Sequence, residues 1–272
     1  MALTVTPVLD DPCPRAGVTV TGLLPGEQVV SVWRTADGKR EAVRGARTIP
    51  AVDSFYVEDY EVPLGISVTY ELDVVTGADA GVQGVRGDVV IDSEHGYIQD
   101  AANPATAIQV RGSGTQGVVL RAGSFKRFGY EADVSTFRVL GDPRPVTVSS
   151  PRGAPTGIPL EFRTMSDSES AKLRDLISTA VLLVIRPSPR WGSAMPSTAT
   201  YSASSITESP VLAHGLTRWE TTGDIVRGSS ARILVPLWSY QDVGDIFATY
   251  DQKQAAAGAG TYLDDQKNPA NA

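Results

Sequence analysis

The stretch that decides the fold is residues 165–187, MSDSESAKLRDLISTAVLLVIRP. Ser166 and Glu169 form a capping-box pattern, in which the hydroxyl and the carboxylate bond backbone N–H groups at a helix start. Four apolar residues follow at the spacing of one buried helical face: Leu173, Leu176, Ile177 and Ala180. This spacing predicts a helix over residues 167–180.

The helix runs directly into a strongly apolar segment, Val-Leu-Leu-Val-Ile at residues 181–185, which Arg186 and Pro187 close. The segment is too short for a second helix, and its branched residues favour a strand buried on both faces. Before residue 240 the rest of the chain alternates between strand and turn patterns. One helix among many strands predicts a mainly β protein whose barrel is closed by that helix.

Composition narrows the class of protein. The 272 residues include 26 Gly and 18 Pro, which favours β structure with many turns. The net charge of −7 and the lack of a basic run argue against nucleic acid as a bound partner. Cys13 is the sole cysteine, so we expect folding in a reducing cytoplasm. Neither a signal peptide nor a membrane segment is predicted.

Short alternating runs separated by Gly and Pro turns fill residues 1–93 and predict a β-sandwich of the immunoglobulin or fibronectin III type. Trp33 is the predicted core tryptophan of this sandwich, and Tyr70 the predicted tyrosine corner. Some other small β-domain remains the alternative. The polar, Gly- and Pro-punctuated residues 94–103 are predicted to be a connector.

Residues 104–239 predict the barrel domain, and the strict alternation of residues 160–164 predicts a half-buried strand just before the helix. Residues 240–272 are predicted to form a short C-terminal helix and a flexible tail. The helix is indicated by an apolar stripe: Val243, Ile246, Phe247 and Tyr250.

In order and spacing, four parts of the chain resemble the distal-tail and minor tail proteins of long-tailed bacteriophages, especially phages of actinobacteria. They are residues 97–100 with Pro104; residues 137–146, FRVLGDPRPV; residues 160–164 and 183–187 on either side of the helix; and residues 235–237 with 247–250. The resemblance implies a split β-barrel that assembles into rings, usually hexameric, at the distal end of the tail tube.

No arrangement of residues predicts catalysis or a cofactor. His95 and His214 have no cluster of metal-ligating residues at a suitable spacing, and no nucleophile elbow precedes a helix. The adjacent carboxylates, such as Asp10 with Asp11, fit solvated surface charge better than an acid–base pair. We therefore predict no catalytic, metal or cofactor-binding residue, and no enzyme activity.

Aromatic residues beside basic ones mark the candidate subunit interface. Trp191 follows Arg190 in the long loop at residues 187–200, a typical interface anchor, although local loop packing explains it equally well. Phe125 and Phe128 flank Arg127 in a second segment, residues 122–131, where hairpin core and sugar or nucleotide stacking are the alternatives.

The leading hypothesis is a structural virion protein, assembled in the host cytoplasm and located at the tail tip or baseplate. Its implied partners are other copies of itself in a ring, the tail tube protein and the hub proteins of the tip. DNA would pass through the lumen without specific binding, and no membrane insertion is expected. The alternative hypothesis is a module of the tail tip that binds a host surface glycan or receptor.

Overall fold

The computed structural model describes residues 1–121, 123–138, 140, 143–191, 196–211, 216–228, 246–247 and 249–257. Within these residues β-strands predominate, seven of them close into a barrel, and two α-helices occur. The prediction of a mainly β chain with a barrel and few helices is confirmed. Of the predicted C-terminal stripe, Ile246, Phe247 and Tyr250 are described, whereas Val243 and residues 235–237 of the family resemblance lie outside the described residues.

The first part of the chain forms two antiparallel sheets. One has the order β1-β2-β6, and the other has the order β4-β3-β7-β8 with β5 paired to β3. The strands are β1 Ala2–Val8, β2 Arg15–Thr21, β3 Gln28–Ala36, β4 Lys39–Ala42, β5 Ile49–Ala51, β6 Phe55–Asp59, β7 Ser67–Thr76 and β8 Arg86–Val90. Residues of both sheets share one hydrophobic core, so these strands form one packed unit, hereafter the N-terminal unit.

Trp33 is not the core tryptophan that the sequence predicts. Side chains alternate along β3, and Val30 and Val32 of the hydrophobic core share one face with the buried Arg34. Trp33 lies between them on the opposite face, where the Arg40 guanidinium covers its ring at 4.3 Å from the centroid. Strand alternation identifies two faces but does not say which of them is inward, which is why the prediction was wrong.

The barrel follows, with the closed order β10-β11-β14-β17-β16-β15-β9. Its strands are β9 Gly96–Asp100, β10 Ile108–Arg111, β11 Val118–Leu120, β14 Ile158–Thr164, β15 Leu183–Arg186, β16 Ala199–Val211 and β17 Leu216–Val226. All neighbours are antiparallel except β10 and β11, which are parallel. Residues 96–100, predicted as connector, are therefore a barrel strand, and their polarity has another cause.

That cause is a second buried face. Ile98, Leu183 and Ile185 of β9 and β15 belong to the barrel core. Gln99 follows Ile98 on β9, and Val184 lies between Leu183 and Ile185 on β15. Both point away from the barrel core and are still buried, because the N-terminal unit covers the outside of these two strands. The covering explains why β15 is apolar on both faces and why β9 carries a buried glutamine, whose Nε2 donates to the carbonyl of Tyr60 at 3.1 Å.

Arg186 ends β15 and has no solvent exposure. Its Nη1 donates to the carbonyl of Pro14 at 2.7 Å and lies 3.4 Å from that of Val62, both in the N-terminal unit. The guanidinium also lies over the ring of Tyr97 on the paired strand, 5.4 Å from its centroid. Burial raises the pKa of the neighbouring Cys13 thiol, and the positive charge of Arg186 partly opposes that rise.

A buried ion cluster lies close to this junction. Arg34 Nη1 donates to both carboxylate oxygens of Asp59, at 2.9 and 3.0 Å. The Tyr70 hydroxyl and the backbone N–H of Glu61 donate to the same carboxylate at 2.8 and 2.9 Å. Burial and the charge of Asp59 raise the pKa of Tyr70 well above its usual value, so the phenol remains a proton donor. With four donated bonds, Asp59 keeps its charge compensated without solvent.

Helix α1, Asp167–Thr179, has Ser166 as its N-cap and packs Leu173 and Leu176 into the barrel core. The Ser166 hydroxyl accepts from Glu169 N at 3.3 Å. The Glu169 carboxylate reaches one residue further back than a simple capping box and accepts from Met165 N at 2.9 Å. Its other oxygen accepts from Gly117 N at 2.8 Å, which ties the helix start to the turn before β11.

The strand after α1 is shorter than the predicted segment 181–185. The helix ends with Ala180 as its C-cap, and β15 begins only at Leu183, so Val181 is 88% exposed in the intervening turn. Beyond the barrel, α2 spans Tyr250–Ala257 and overlaps only the end of the predicted C-terminal stripe.

Truncation of Leu176 tests the packing of α1. We expect Leu176→Ala to lower the free energy of unfolding by about 2–5 kcal/mol, as for other fully buried leucines. Val181→Ala, at an exposed position next to the same helix, is the control and should change it by less than about 0.5 kcal/mol. Both are measured by denaturant unfolding, and equal small losses would show that this helix face is not buried.

A second comparison tests the buried ion cluster. Asp59→Ala removes the carboxylate that Arg34 Nη1, the Tyr70 hydroxyl and Glu61 N all bond, and leaves Arg34 only its longer ion pairs with Glu41 and Glu61, at 3.2 and 3.6 Å. We therefore expect a loss of about 3–5 kcal/mol in unfolding free energy. Glu94→Ala removes an ion pair of the same 2.9 Å length, between Glu94 and Arg190, in which both side chains are mostly exposed. That loss should stay below about 1 kcal/mol. Similar losses in the two variants would contradict the assignment.

Candidate assembly surface

Residues 121–157, between β11 and β14, are called the arm; its described residues, all but 122, 139, 141 and 142, leave the barrel sheet. The arm contains a two-stranded sheet of its own, β12 Val134–Phe137 and β13 Val146–Ser149. At its base, Gly129 and Thr156 exchange two backbone hydrogen bonds of 2.9 and 2.8 Å. Further out, Ser150 N donates to the carbonyl of Asp133 at 3.0 Å. The hairpin is thus held at its base and projects from the barrel.

Both strands of the hairpin are exposed along their whole length. Directly opposed residues of an antiparallel pair share a face, and the pairs here include Phe137 with Val146 and Ser135 with Val148. Phe137, Val146 and Val148 therefore lie on one face, where they are 58%, 50% and 61% exposed. We call these three residues the assembly surface.

The opposite face of the hairpin is more polar. Thr136 and Thr147 are directly opposed there, with their hydroxyl oxygens 3.4 Å apart, and Val134 is paired with Ser149. An isolated two-stranded hairpin is marginally stable in water, and contiguous exposed apolar residues are typical of interaction sites. The hairpin consequently has one face suited to a partner and one suited to solvent.

The predicted interface residues near the arm lie at its base rather than on the hairpin. Phe125 is buried in the barrel core, with its backbone N–H bonded to the carbonyl of Pro159 at 2.9 Å. Phe128 is half-buried against the same core, and Arg127 is exposed. Of these three side chains, only that of Arg127 is mainly exposed in the isolated chain.

Trp191, at the end of a 3₁₀ turn at Pro189–Trp191, packs against the barrel in its own chain. Its ring lies over two glycines, since a Cβ built on Gly112 would fall 2.6 Å from the indole Nε1 and one on Gly96 2.5 Å from the ring edge. Arg190 is exposed and pairs with Glu94 at 2.9 Å. Residues 192–195 of the predicted interface loop lie outside the described residues.

Among the residues that the structure describes, no group of three or more His, Cys, Asp or Glu side chains is placed to hold a metal ion. His95 donates its backbone N–H to Ser93 Oγ at 3.2 Å, and His214 lies outside the described part of the chain. No helix in the described ranges has the length and hydropathy needed to cross a bilayer.

The sequence alone does not identify the assembly surface, because residues 137–146 fall within the predicted barrel domain. The available signal is in β13, where Val146 and Val148 alternate with Thr147 and Ser149. In β12 the sequence Val-Ser-Thr-Phe does not alternate, and only the register shows that Phe137 shares the face of Val146 and Val148.

Comparison with known proteins adds no relative to this picture. No protein-family model matches the sequence, and a search of curated proteins finds no match. The function is therefore inferred from the residues and the geometry of this chain.

The contact between Trp191 and Gly112 gives a test of loop packing. We expect Gly112→Ala to destabilise the chain by about 1–3 kcal/mol, because the new methyl group must displace the indole. In a Trp191→Ala background the same change should be nearly neutral, which a double-mutant cycle on unfolding free energies measures.

Gly153→Ala is the matched control, since its Cβ would meet no atom closer than 3.9 Å. It should be neutral in both backgrounds. Additive costs for Gly112→Ala and Trp191→Ala would show that the indole does not rest on Gly112.

Proposed function

We propose that this chain is a structural virion protein, a minor tail component at the distal end of the tail of a long-tailed bacteriophage. The proposal combines the family resemblance of the sequence with a closed barrel that carries a single packed helix and an exposed apolar hairpin. The hairpin is the main support for this proposal. Its apolar face is exposed to solvent in the monomer, as expected for a protein that functions in an assembly.

In this proposal the finer description of the fold follows the same family. The N-terminal unit is an immunoglobulin- or fibronectin III-like sandwich, and the barrel is the split barrel of distal tail proteins. Copies form a ring, usually of six in that family, between the tail tube and the proteins of the tip. A ring that passes DNA needs a lumen that does not bind phosphates, and the net charge of −7 agrees with that need.

Ring formation is supported by the shape of the chain. A ring needs a head-to-tail contact, in which one patch of a subunit meets a different patch of its neighbour. The arm reaches away from the barrel, while the barrel itself has no free strand edge among its described strands. The arm of one subunit and the barrel of the next would provide the two different surfaces that a head-to-tail contact needs.

Gold-labelled antibodies raised against the purified chain test the location directly. We expect label at the distal end of the tail when intact particles of the virus that encodes this chain are viewed by electron microscopy. Particles that lack the protein altogether would overturn the proposal. Label confined to fibres outside the tail axis would favour the glycan- or receptor-binding alternative instead.

A further inference from the structure

We propose that the assembly surface of the hairpin docks on the body of a second copy of this chain, the contact that would join neighbours in the ring of the proposed function. The body means here all residues outside the arm. Two independent observations support this occupant. One is the single apolar face set by the strand register, and the other is a difference in charge between the arm and the body.

The first observation defines what is docked. Phe137 and Val146 are directly opposed, and Val148 is two residues further along the same strand, so the three side chains form one continuous apolar patch. All three are at least half exposed in the isolated chain. An aromatic residue flanked by branched aliphatic ones is the kind of anchor that fills a pocket on a partner.

The second observation identifies the partner. The arm carries six Arg and Lys residues against three Asp and Glu, whereas the whole chain carries 24 against 31. The body therefore has 18 basic and 28 acidic residues. A basic arm on an acidic body is complementary to another copy of the same body.

The basic residues of the arm are placed to act with the apolar patch. Arg138 directly follows Phe137 at the end of β12, and Arg152 lies three residues beyond the end of β13. Both side chains are exposed. Charges at the edge of an apolar contact raise its rate of formation and fix its orientation, while the buried apolar residues supply most of the affinity.

Neighbouring positions of β13 provide a matched pair of variants. Val148→Asp and Thr147→Asp add the same charge to the same strand, but on opposite faces of the hairpin. The full-length chain and each variant are compared by sedimentation velocity over a range of concentrations. We expect Val148→Asp to weaken self-association about thirtyfold or more, the effect of losing an interface hot spot. Thr147→Asp should change it less than about threefold.

Phe137→Ala is a third variant that adds no charge, and it should weaken self-association as Val148→Asp does. Thermal unfolding of all three variants should match the unmodified chain, because the changed side chains are exposed in the monomer. Raising the salt concentration from about 0.05 to about 0.5 M should weaken association of the unmodified chain, because salt screens the attraction between arm and body.

Three results would overturn the docking proposal. The first is an unmodified chain that stays monomeric at about 1 mM. The second is an equal loss of association in Val148→Asp and Thr147→Asp, and the third is association that Phe137→Ala leaves unchanged. The antibody experiment reports separately on the proposed function. If the antibody labels the tail tip and any of these three results is found, the proposed tail function is retained and only the proposed hairpin contact is rejected.

Discussion

A guanidinium without access to solvent joins the two parts of this chain. A buried charge is costly unless it is compensated, and the compensation that Arg186 has comes largely from the other unit, whose carbonyl oxygens accept from Nη1, while Nε and Nη2 have no hydrogen-bond partner among the described residues. The barrel strand that carries it must therefore stay against the N-terminal unit. This requirement makes β9 and β15 strands with two buried faces. The ion cluster around Asp59 and the hydrogen bond from Gln99 to Tyr60 lie on the same side of the barrel.

Features with a local cause could be predicted from the sequence. The helix start depends on Ser166 and Glu169, which are three residues apart, and the buried face of α1 depends on the spacing of Leu173 and Leu176. The mainly β character and the barrel follow from patterns of similar range. The Glu169 carboxylate also accepts a hydrogen bond from Gly117 N, which is 52 residues away in the sequence. A contact of that range leaves no local signal.

Features that depend on which face meets which element could not be predicted. Trp33 alternates correctly with Val32 and Arg34, yet the inner face of β3 is the one that carries the arginine, because Asp59 of another strand is there to pair with it. Arg186 looked like the polar end of a strand, since nothing near it in sequence shows that another unit covers it. The hairpin residues fall within the predicted barrel domain, and their position outside the barrel sheet depends on the pairing of β11 with β14.

The cost of burying polar groups and of exposing apolar ones distinguishes the junction between the two units from the hairpin. Where polar groups are buried, as at Asp59, their hydrogen bonds are directional and favour one packing arrangement of the strands around them. The hairpin differs, because Phe137, Val146 and Val148 make one of its faces mainly apolar, while the opposite face is mainly polar. An exposed hairpin also offers unpaired strand edges, a recognised hazard for uncontrolled aggregation. A sequence that retains Phe137, Val146 and Val148 on such an element keeps a feature that is disadvantageous for a lone monomer and useful in an ordered assembly. In the proposed contact, the basic residues beside the patch would orient the arm, because they repel other arms and attract the acidic body.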